Sequence, residues 1–413
     1  MKVLIAGAGV GGLTLALMLH RRGVEAVIFE QASEIREVGV GINILPHAVK
    51  ELAALDLLPA LDNVGIRTKE LHYLSRLGQK VWSELRGADA GFDFPQFSIH
   101  RGRLQKVIYD AVIARLGERQ VRSGLKLQGF LQDEGGVVAH FTDAKFGLES
   151  ETVRGDVLIG ADGIHSIVRR HFYPKEGRPS WQGLMLWRGA AEWPKFLTGR
   201  SMYIAGGMSA KIALYPIAPG LTPNTCLTNW AIVSRIADGQ ITPAPVDSWS
   251  RVGRMDEVIP LAKRFNVPDV DVEALVRATP VCWEYPMCDR DPLPNWSRGR
   301  VTLMGDAAHP MYPVGSNGAA QAILDARSLA DWLMKAEHPM QALHEYERER
   351  LPKTAEIVRL NRKGGPERVI DEVEKLAPAG FEYVDRVLSH AEREAIVKGY
   401  AGKAGFTPSQ VNK

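Results

Sequence analysis

Residues 2–6, Lys-Val-Leu-Ile-Ala, are apolar without a break after the lysine, which predicts a short strand buried on both faces of a parallel sheet. A helical pattern runs from Leu13 to Arg22 and stops at Gly23. Glu25 to Phe29 predicts a second strand ending at Glu30, which completes a βαβ unit. A further helix is predicted over 46–58, with Pro46 in its first turn and Val49, Leu52, Leu55 and Leu57 as its apolar positions. The stretch 66–84 predicts a hairpin that turns at Gly78 and returns through Val81 and Trp82. Leu104, Val107, Ile108, Val112 and Leu116 set a helical period over 102–116. Strands are expected between 120 and 160, the last being Val157-Leu158-Ile159. Residues 180–290, rich in Trp, Tyr, Pro and alternating apolar positions, predict an antiparallel sheet lobe with connecting helices. Residues 300–304 return to a short apolar strand. From 318 to about 400 the pattern is helical, with Leu324, Leu329, Trp332 and Leu333 as a stripe, and the last ten residues are expected to fray.

Composition narrows the class. Hydrophobic residues make up 45% and charged residues 24%, a balance that suits a globular protein. A net charge of +3 gives no argument for nucleic acid or an anionic membrane as partner. Three cysteines, Cys226, Cys282 and Cys288, are too few for a disulfide framework and suit a reducing cytoplasm. No zinc or other metal site is read from them. The apolar run from Val3 to Leu19 is cut by Gly7, Gly9, Gly11 and Gly12, so it is expected to be core rather than a signal peptide. No other apolar stretch is long enough for a membrane helix.

Chemistry enters with Gly7-Ala8-Gly9-Val10-Gly11-Gly12, which follows a strand and opens a helix. The first glycine permits a tight turn, the second lets a pyrophosphate approach the backbone, and the third lets helix and strand pack closely. The helix start offers unpaired N–H groups to phosphate. Glu30, at the end of the second strand, can accept hydrogen bonds from ribose hydroxyls. This fingerprint alone serves FAD and NAD equally. Two later turns separate them. Gly160-Ala161-Asp162-Gly163 ends one strand and leads to Ser166, Val168 and Arg169. Gly305-Asp306-Ala307-Ala308-His309 ends another and leads to Pro313, Gly315, Asn317, Gly318 and a helix. Ligands bind at such carboxyl ends of parallel strands. The glycines of 315–318 expose backbone N–H groups that can stabilise charge on a reduced ring.

These three ordered motifs resemble the single-component FAD-dependent aromatic hydroxylases, the 4-hydroxybenzoate and salicylate hydroxylase group, over residues 1 to about 360. Several strings are most similar to the methylphenazine-carboxylate monooxygenase branch: Glu34-Ile35-Arg36, Gly39 to Ile44, Ser98 to Gly102, and Pro313 to Ala319. The resemblance implies an α/β fold: a Rossmann-like, doubly wound FAD-binding domain, an inserted antiparallel-sheet substrate lobe and a C-terminal helical region. It assigns 1–70, 101–180 and 290–330 to the FAD-binding domain and 71–100 with 181–289 to the lobe. Residues 331–400 become C-terminal helices and 401–413 a flexible tail.

It further implies that Asp306 binds the FAD ribitol, Glu30 the adenosine ribose, and Arg101 the cofactor. Asp162 and Arg169 would serve both FAD and nicotinamide, and Gly41 with Pro313, Val314, Gly315, Asn317 and Gly318 would line the flavin. The implied reaction takes NADH or NADPH and O2 and hydroxylates an aromatic, heteroaromatic or carboxylated small molecule through a flavin C4a-hydroperoxide.

His47 is a candidate base and otherwise a surface histidine. Tyr215 is a candidate catalytic or substrate-contacting residue and otherwise a core tyrosine. Arg188 beside Trp187 is a candidate substrate contact, and a structural role is expected for His309. A reductase or oxidase of the same fold and a non-catalytic flavin- or ligand-binding protein remain as alternatives. The Trp-x-Trp-x-Ile-Pro string of halogenases on this fold is absent. Monomer and homodimer are equally compatible with the sequence.

Overall fold

Strand β1 (Lys2–Ala6) lies at the centre of a six-stranded sheet because its apolar side chains are shielded on both faces. The order across this sheet is Ser297–Arg298, Val301–Leu303, Val157–Gly160, β1, β2 (Glu25–Glu30) and Val121–Ser123. All pairs are parallel except the two-residue edge strand at Ser297–Arg298. Val157–Gly160 runs parallel beside β1 and Val301–Leu303 parallel beside Val157–Gly160, so both acidic turns emerge at the edge that carries the glycine loop. This computed structural model describes residues 1–35, 37, 39–245 and 251–413. Arg36, in one of the strings cited above, lies outside the described residues.

A three-stranded antiparallel meander, Leu125–Asp133, Gly136–Asp143 and Glu149–Gly155, is joined to this domain. The long C-terminal helices Gly318–Lys335 and Pro339–Arg362 pack against the same core.

The lobe is built on a mixed sheet. Its main path runs Arg251–Val252, Trp283–Asp289, Ser180–Pro194, Thr225–Arg235, Ala210–Pro219, Ser201–Ala205, Glu70–Leu74 and Lys80–Leu85. Alternation gives the sheet two faces. Trp187, Leu214, Trp230 and Ile232 pack against the helices Met255–Ala262 and Val272–Arg277. Leu186 and Val233, on the other face, pack against Tyr312 and Val314, which follow the Val301–Leu303 strand of the parallel sheet.

Three expectations need correction. The 46–58 helix is two helices, Pro46–Ala53 and Leu58–Val64, because Asp56 takes φ 60° and Pro59 starts a new turn. The hairpin is shorter at its start: Glu70–Leu74 pairs with Lys80–Leu85 around Gly78 (φ 84°). Gly65–Thr68 instead joins a separate sheet with Gln96–His100 and Gly41–Ile44. The lobe sheet is antiparallel, as expected, apart from Ser201–Ala205, which runs parallel to Glu70–Leu74, a segment remote in sequence.

The tail, too, is folded. Thr407 and Gln410 form a capping box on Pro408–Val411, and Phe406 and Val411 are buried. Lys50 Nζ donates to the carbonyls of Val411 (2.8 Å) and Lys413 (2.7 Å). The tail's polarity suggested fraying, but its few apolar residues find a docking surface made by other segments. No helix among the described residues is long and apolar enough to cross a membrane.

Candidate active site

The glycine loop has the shape that its three roles require. Gly7 takes φ 109°, and a Cβ there would strike the Ala161 backbone. A Cβ on Gly12 would strike the Gly7 carbonyl and come within 3.2 Å of Ile5. One on Gly9 would meet nothing within 4 Å among the described residues, so this glycine faces open space. Gly11 abuts helix Gly318–Lys335, where a Cβ would come within 3.2 Å of Ala322. Glu30 braces the loop by accepting Ala8 N–H at 2.8 Å, and Gln105 Nε2 donates to the Ala8 carbonyl at 2.8 Å.

The two acidic turns are tied together by Arg169. This side chain is 1% exposed and donates to the carbonyls of Ala307 (3.1 Å) and Ala308 (2.8 Å). It also pairs with Glu176 at 2.5 Å. Arg169 is therefore neither a surface charge nor open to a nucleotide; it holds one turn against the other.

Asp162 Oδ2 accepts Ile167 N–H at 2.7 Å, while Oδ1 is buried with no hydrogen-bond partner among the described residues. Burial raises the Asp162 pKa. Asp306 is surface-accessible although protein surrounds it, so its carboxylate lines a recess. Confinement raises its pKa, partly offset by His309 and by Arg101, whose charge reaches it from the start of helix Arg101–Leu116.

Asp325 was not anticipated from the sequence. It is fully buried on helix Gly318–Lys335 and accepts Gly305 N–H at 3.0 Å. His309 Nε2 lies 2.5 Å from one of its oxygens and Arg350 Nε 2.8 Å from the other. Burial opposes its ionisation, but His309 and Arg350 outweigh that and hold its pKa at about 2. The structural role expected for His309 is thereby explained. The available signal was a carboxylate inside an apolar helical stripe, between Leu324 and Ala326.

Beyond His309 the chain forms the loop Pro313–Gly318. Gly315 (φ 66°) is pressed against Tyr400, where a Cβ would lie 2.6 Å from the phenol oxygen. Ser316 is also left-handed (φ 57°), a strained conformation held by its surroundings. Asn317 is fully buried and donates to Tyr400 Oη at 2.9 Å. Gly318 begins the eighteen-residue helix whose N-terminus faces this loop.

Across from it stands the lobe face. Gly41 N–H donates to Asn229 Oδ1 (2.8 Å), and the Gly41 carbonyl accepts Arg188 Nη2. A Cβ on Gly41 would lie 2.6 Å from the Tyr215 ring and 2.7 Å from Asn229, so only glycine fits beneath the sheet. Arg188 Nη1 donates to Tyr285 Oη at 3.2 Å, and its buried Nε has no partner among the described residues. Burial disfavours the Arg188 charge, but the Tyr285 and Tyr215 hydroxyls outweigh it and its pKa is raised. Burial also raises the Tyr215 pKa, against the pull of Arg188, so Tyr215 is a neutral phenol at neutral pH. The register sets Ala213 beside Ala231 and Ala231 beside Arg188, and all three stay half-buried in an otherwise closed face.

His47 does not join this group. It is 5% exposed, stacks on Phe406 at 5.6 Å, and neither ring nitrogen has a partner among the described residues. Burial, aided by Arg350, lowers its pKa to about 3. His47 is thus a neutral, buried imidazole against the C-terminal tail, which corrects the surface-histidine reading.

The elements fit FAD on their own terms: a glycine cradle that a Cβ would fill, a buried carboxylate oxygen without a partner, and an accessible Asp306. They define an FAD-binding protein with a separate, arginine-bearing sheet face. The chain matches the family described as "FAD binding domain" over residues 1–178 and 289–361 and belongs to it. It is 43% identical over 364 residues to the phenazine 1,6-dicarboxylic acid hydroxylase PhzS of Lysobacter antibioticus, covering 87% of this chain and 89% of that protein. It is 31% identical over 362 residues to 3-hydroxybenzoate 6-hydroxylase 1 of Aquipseudomonas alcaligenes, covering 86% of each. The structure of Klebsiella pneumoniae HpxO with FAD and uric acid shares the fold at TM-score 0.74 and 21% identity, covering 98% of this chain and 96% of that one. The protein is an FAD-dependent monooxygenase of the aromatic hydroxylase family, a class of enzyme that works with NAD(P)H and O2.

Proposed function

We propose that this enzyme hydroxylates a planar, fused-ring aromatic carboxylate seated between the lobe face and the Pro313–Gly318 loop. The observation that carries this reading is Arg188: a guanidinium on the pocket wall with one buried N–H unpartnered among the described residues. A carboxylate is the acceptor that suits it. The neighbouring pair Ala213 and Ala231 leaves a flat floor for rings, and the phenazine substrate in the Lysobacter relative's name belongs to the same chemical class.

Under this reading, Gly7, Gly9, Gly11, Gly12 and Glu30 hold the adenosine and pyrophosphate of FAD. Arg101, Asp162 and Asp306 hold its central part, and Gly41 with Pro313, Val314, Gly315, Asn317 and Gly318 lines the ring. FAD, when bound and reduced by a nicotinamide, supplies the oxygen-activating centre. The chain's residues do the rest. Arg188 anchors and orients the carboxylate. Tyr215, protonated, offers an O–H to the substrate or to the Gly41 side of the pocket. Leu186, Val233, Tyr312 and Val314 exclude water from one wall.

The two-domain division given by the resemblance, with 71–100 and 181–289 as the lobe, is retained as part of this proposal. The buried free thiols Cys226, Cys282 and Cys288 support a cytoplasmic setting.

The test is NAD(P)H oxidation by the FAD-loaded enzyme across fused-ring aromatic acids and their carboxamides, with mass spectrometry for one added oxygen. Acids are expected to stimulate oxidation and gain oxygen. Equal turnover of the carboxamides would overturn the carboxylate reading.

A further inference from the structure

We propose that Tyr400 and Glu367 are positioning residues for the flavin-facing loop Pro313–Gly318, and that the Lys211–Glu367 pair ties this loop to the substrate sheet. Both residues lie beyond residue 361, where the family match ends. Yet both reach back to the loop.

Tyr400, on helix His390–Ala404, is 4% exposed. Its hydroxyl accepts from Asn317 Nδ2 at 2.9 Å and donates to Asn361 Oδ1 at 2.7 Å. Asn361 Nδ2 in turn donates to the Tyr312 carbonyl at 2.9 Å. One phenol thus fixes both ends of the loop, and its ring occupies the space beside Gly315 that a side chain would need.

Glu367 acts from the neighbouring segment. Its Oε1 accepts Gly315 N–H at 3.4 Å, and its Oε2 pairs with Lys211 Nζ. The side chains of this pair are each 8% exposed. A buried pair recovers little stability beyond its desolvation cost, so its significance lies in what it joins. Here it joins strand Ala210–Pro219, which carries Ala213 and Tyr215, to a loop that holds two consecutive left-handed residues, Gly315 and the non-glycine Ser316. Gly365 (φ 53°) completes the contact, since a Cβ there would lie 2.8 Å from Val314. The loop's strained backbone is held from the C-terminal side, and the lobe registers against the same carboxylate.

This inference rests on the placement of the flavin ring at the loop, and the variants separate the two. The FAD-loaded enzyme is compared with Y400F, which keeps the ring but loses both hydrogen bonds, and with E367Q. V397A, a buried position on the same helix, controls for destabilisation alone, and G315A alters the loop itself. Readouts are the visible spectrum of bound FAD, its dissociation constant, KM against kcat, and the fraction of NAD(P)H oxidation ending as hydrogen peroxide.

Y400F is expected to weaken FAD about tenfold, the effect of one to two lost hydrogen bonds. It should also shift the flavin spectrum and raise the peroxide fraction. E367Q is expected to do the same and to raise substrate KM as well. V397A should lower the melting temperature with the spectrum unchanged. If Y400F and E367Q keep the wild-type spectrum, affinity and peroxide fraction while G315A changes them, the positioning role is overturned and the flavin placement stands. If G315A is silent too, the placement falls and the proposal with it.

Discussion

On the proposed function Arg188 anchors the substrate carboxylate, so its removal should be read in binding before rate. Arg188→Met is expected to raise substrate KM by about 10- to 100-fold, the cost of a lost charge-assisted hydrogen bond, with kcat changed less. Steady-state kinetics on an aromatic acid checks this; a fall in kcat at constant KM would sink the anchoring role. His47 sets a different expectation. Its pKa is about 3 in the folded chain against 6.5 for a free side chain. Between those values the unfolded chain binds the extra proton. The associated stability is fully present above pH 6.5 and is lost as pH falls toward about 3. His47→Gln should therefore flatten the acid limb of stability, measured as denaturant midpoint against pH. An unchanged slope would show that other groups trigger acid unfolding.

At the scale of elements, helix Gly318–Lys335 does two jobs: its N-terminus faces the loop and its Asp325 holds the turn that bears Asp306. Asp325→Ala leaves Arg350 and His309 buried without their carboxylate, a change of about 3–5 kcal/mol in stability by denaturant titration. It should also release FAD, because Gly305 N–H loses its acceptor. In the opposite wall of the site, Gly12→Ala places a methyl group against the Gly7 carbonyl. The expected outcome is a folded protein purified without yellow colour, checked by the absorbance ratio of flavin to protein. Both elements were legible in part. The glycine loop announced itself by spacing, but Asp325 showed in the sequence only as a carboxylate inside an apolar stripe, without the partners that explain it.

For the whole molecule, the C-terminal segment closes on the start of the chain: Phe406 covers His47, and Asn412 Nδ2 donates to the Gly91 carbonyl at 2.9 Å. A chain ending at Gly405 loses the buried Phe406 and Val411, on the order of 2–5 kcal/mol of apolar burial. It should melt lower, and its acid limb below pH 6.5 should be flatter, since a solvated His47 has nearly the same proton affinity folded and unfolded. Thermal scans at two pH values test both effects.

What the sequence determined by itself was the βαβ start, the two acidic turns and the helix after Gly318. These depend on local rules: an apolar run for a buried strand, glycines where the backbone must turn tightly, and a strand end for each Asp. The tertiary structure decided which side chains meet. Arg169 became a brace to the Ala307 carbonyl, 138 residues away, Arg188 found the Gly41 carbonyl, and Tyr400 reached the Pro313–Gly318 loop from beyond the family match. It also turned the surface reading of His47 into a buried one and a fraying tail into a docked one. Hydrogen bonds, burial and pKa shifts of this kind depend on distances across the fold, and no local pattern along the chain encodes them.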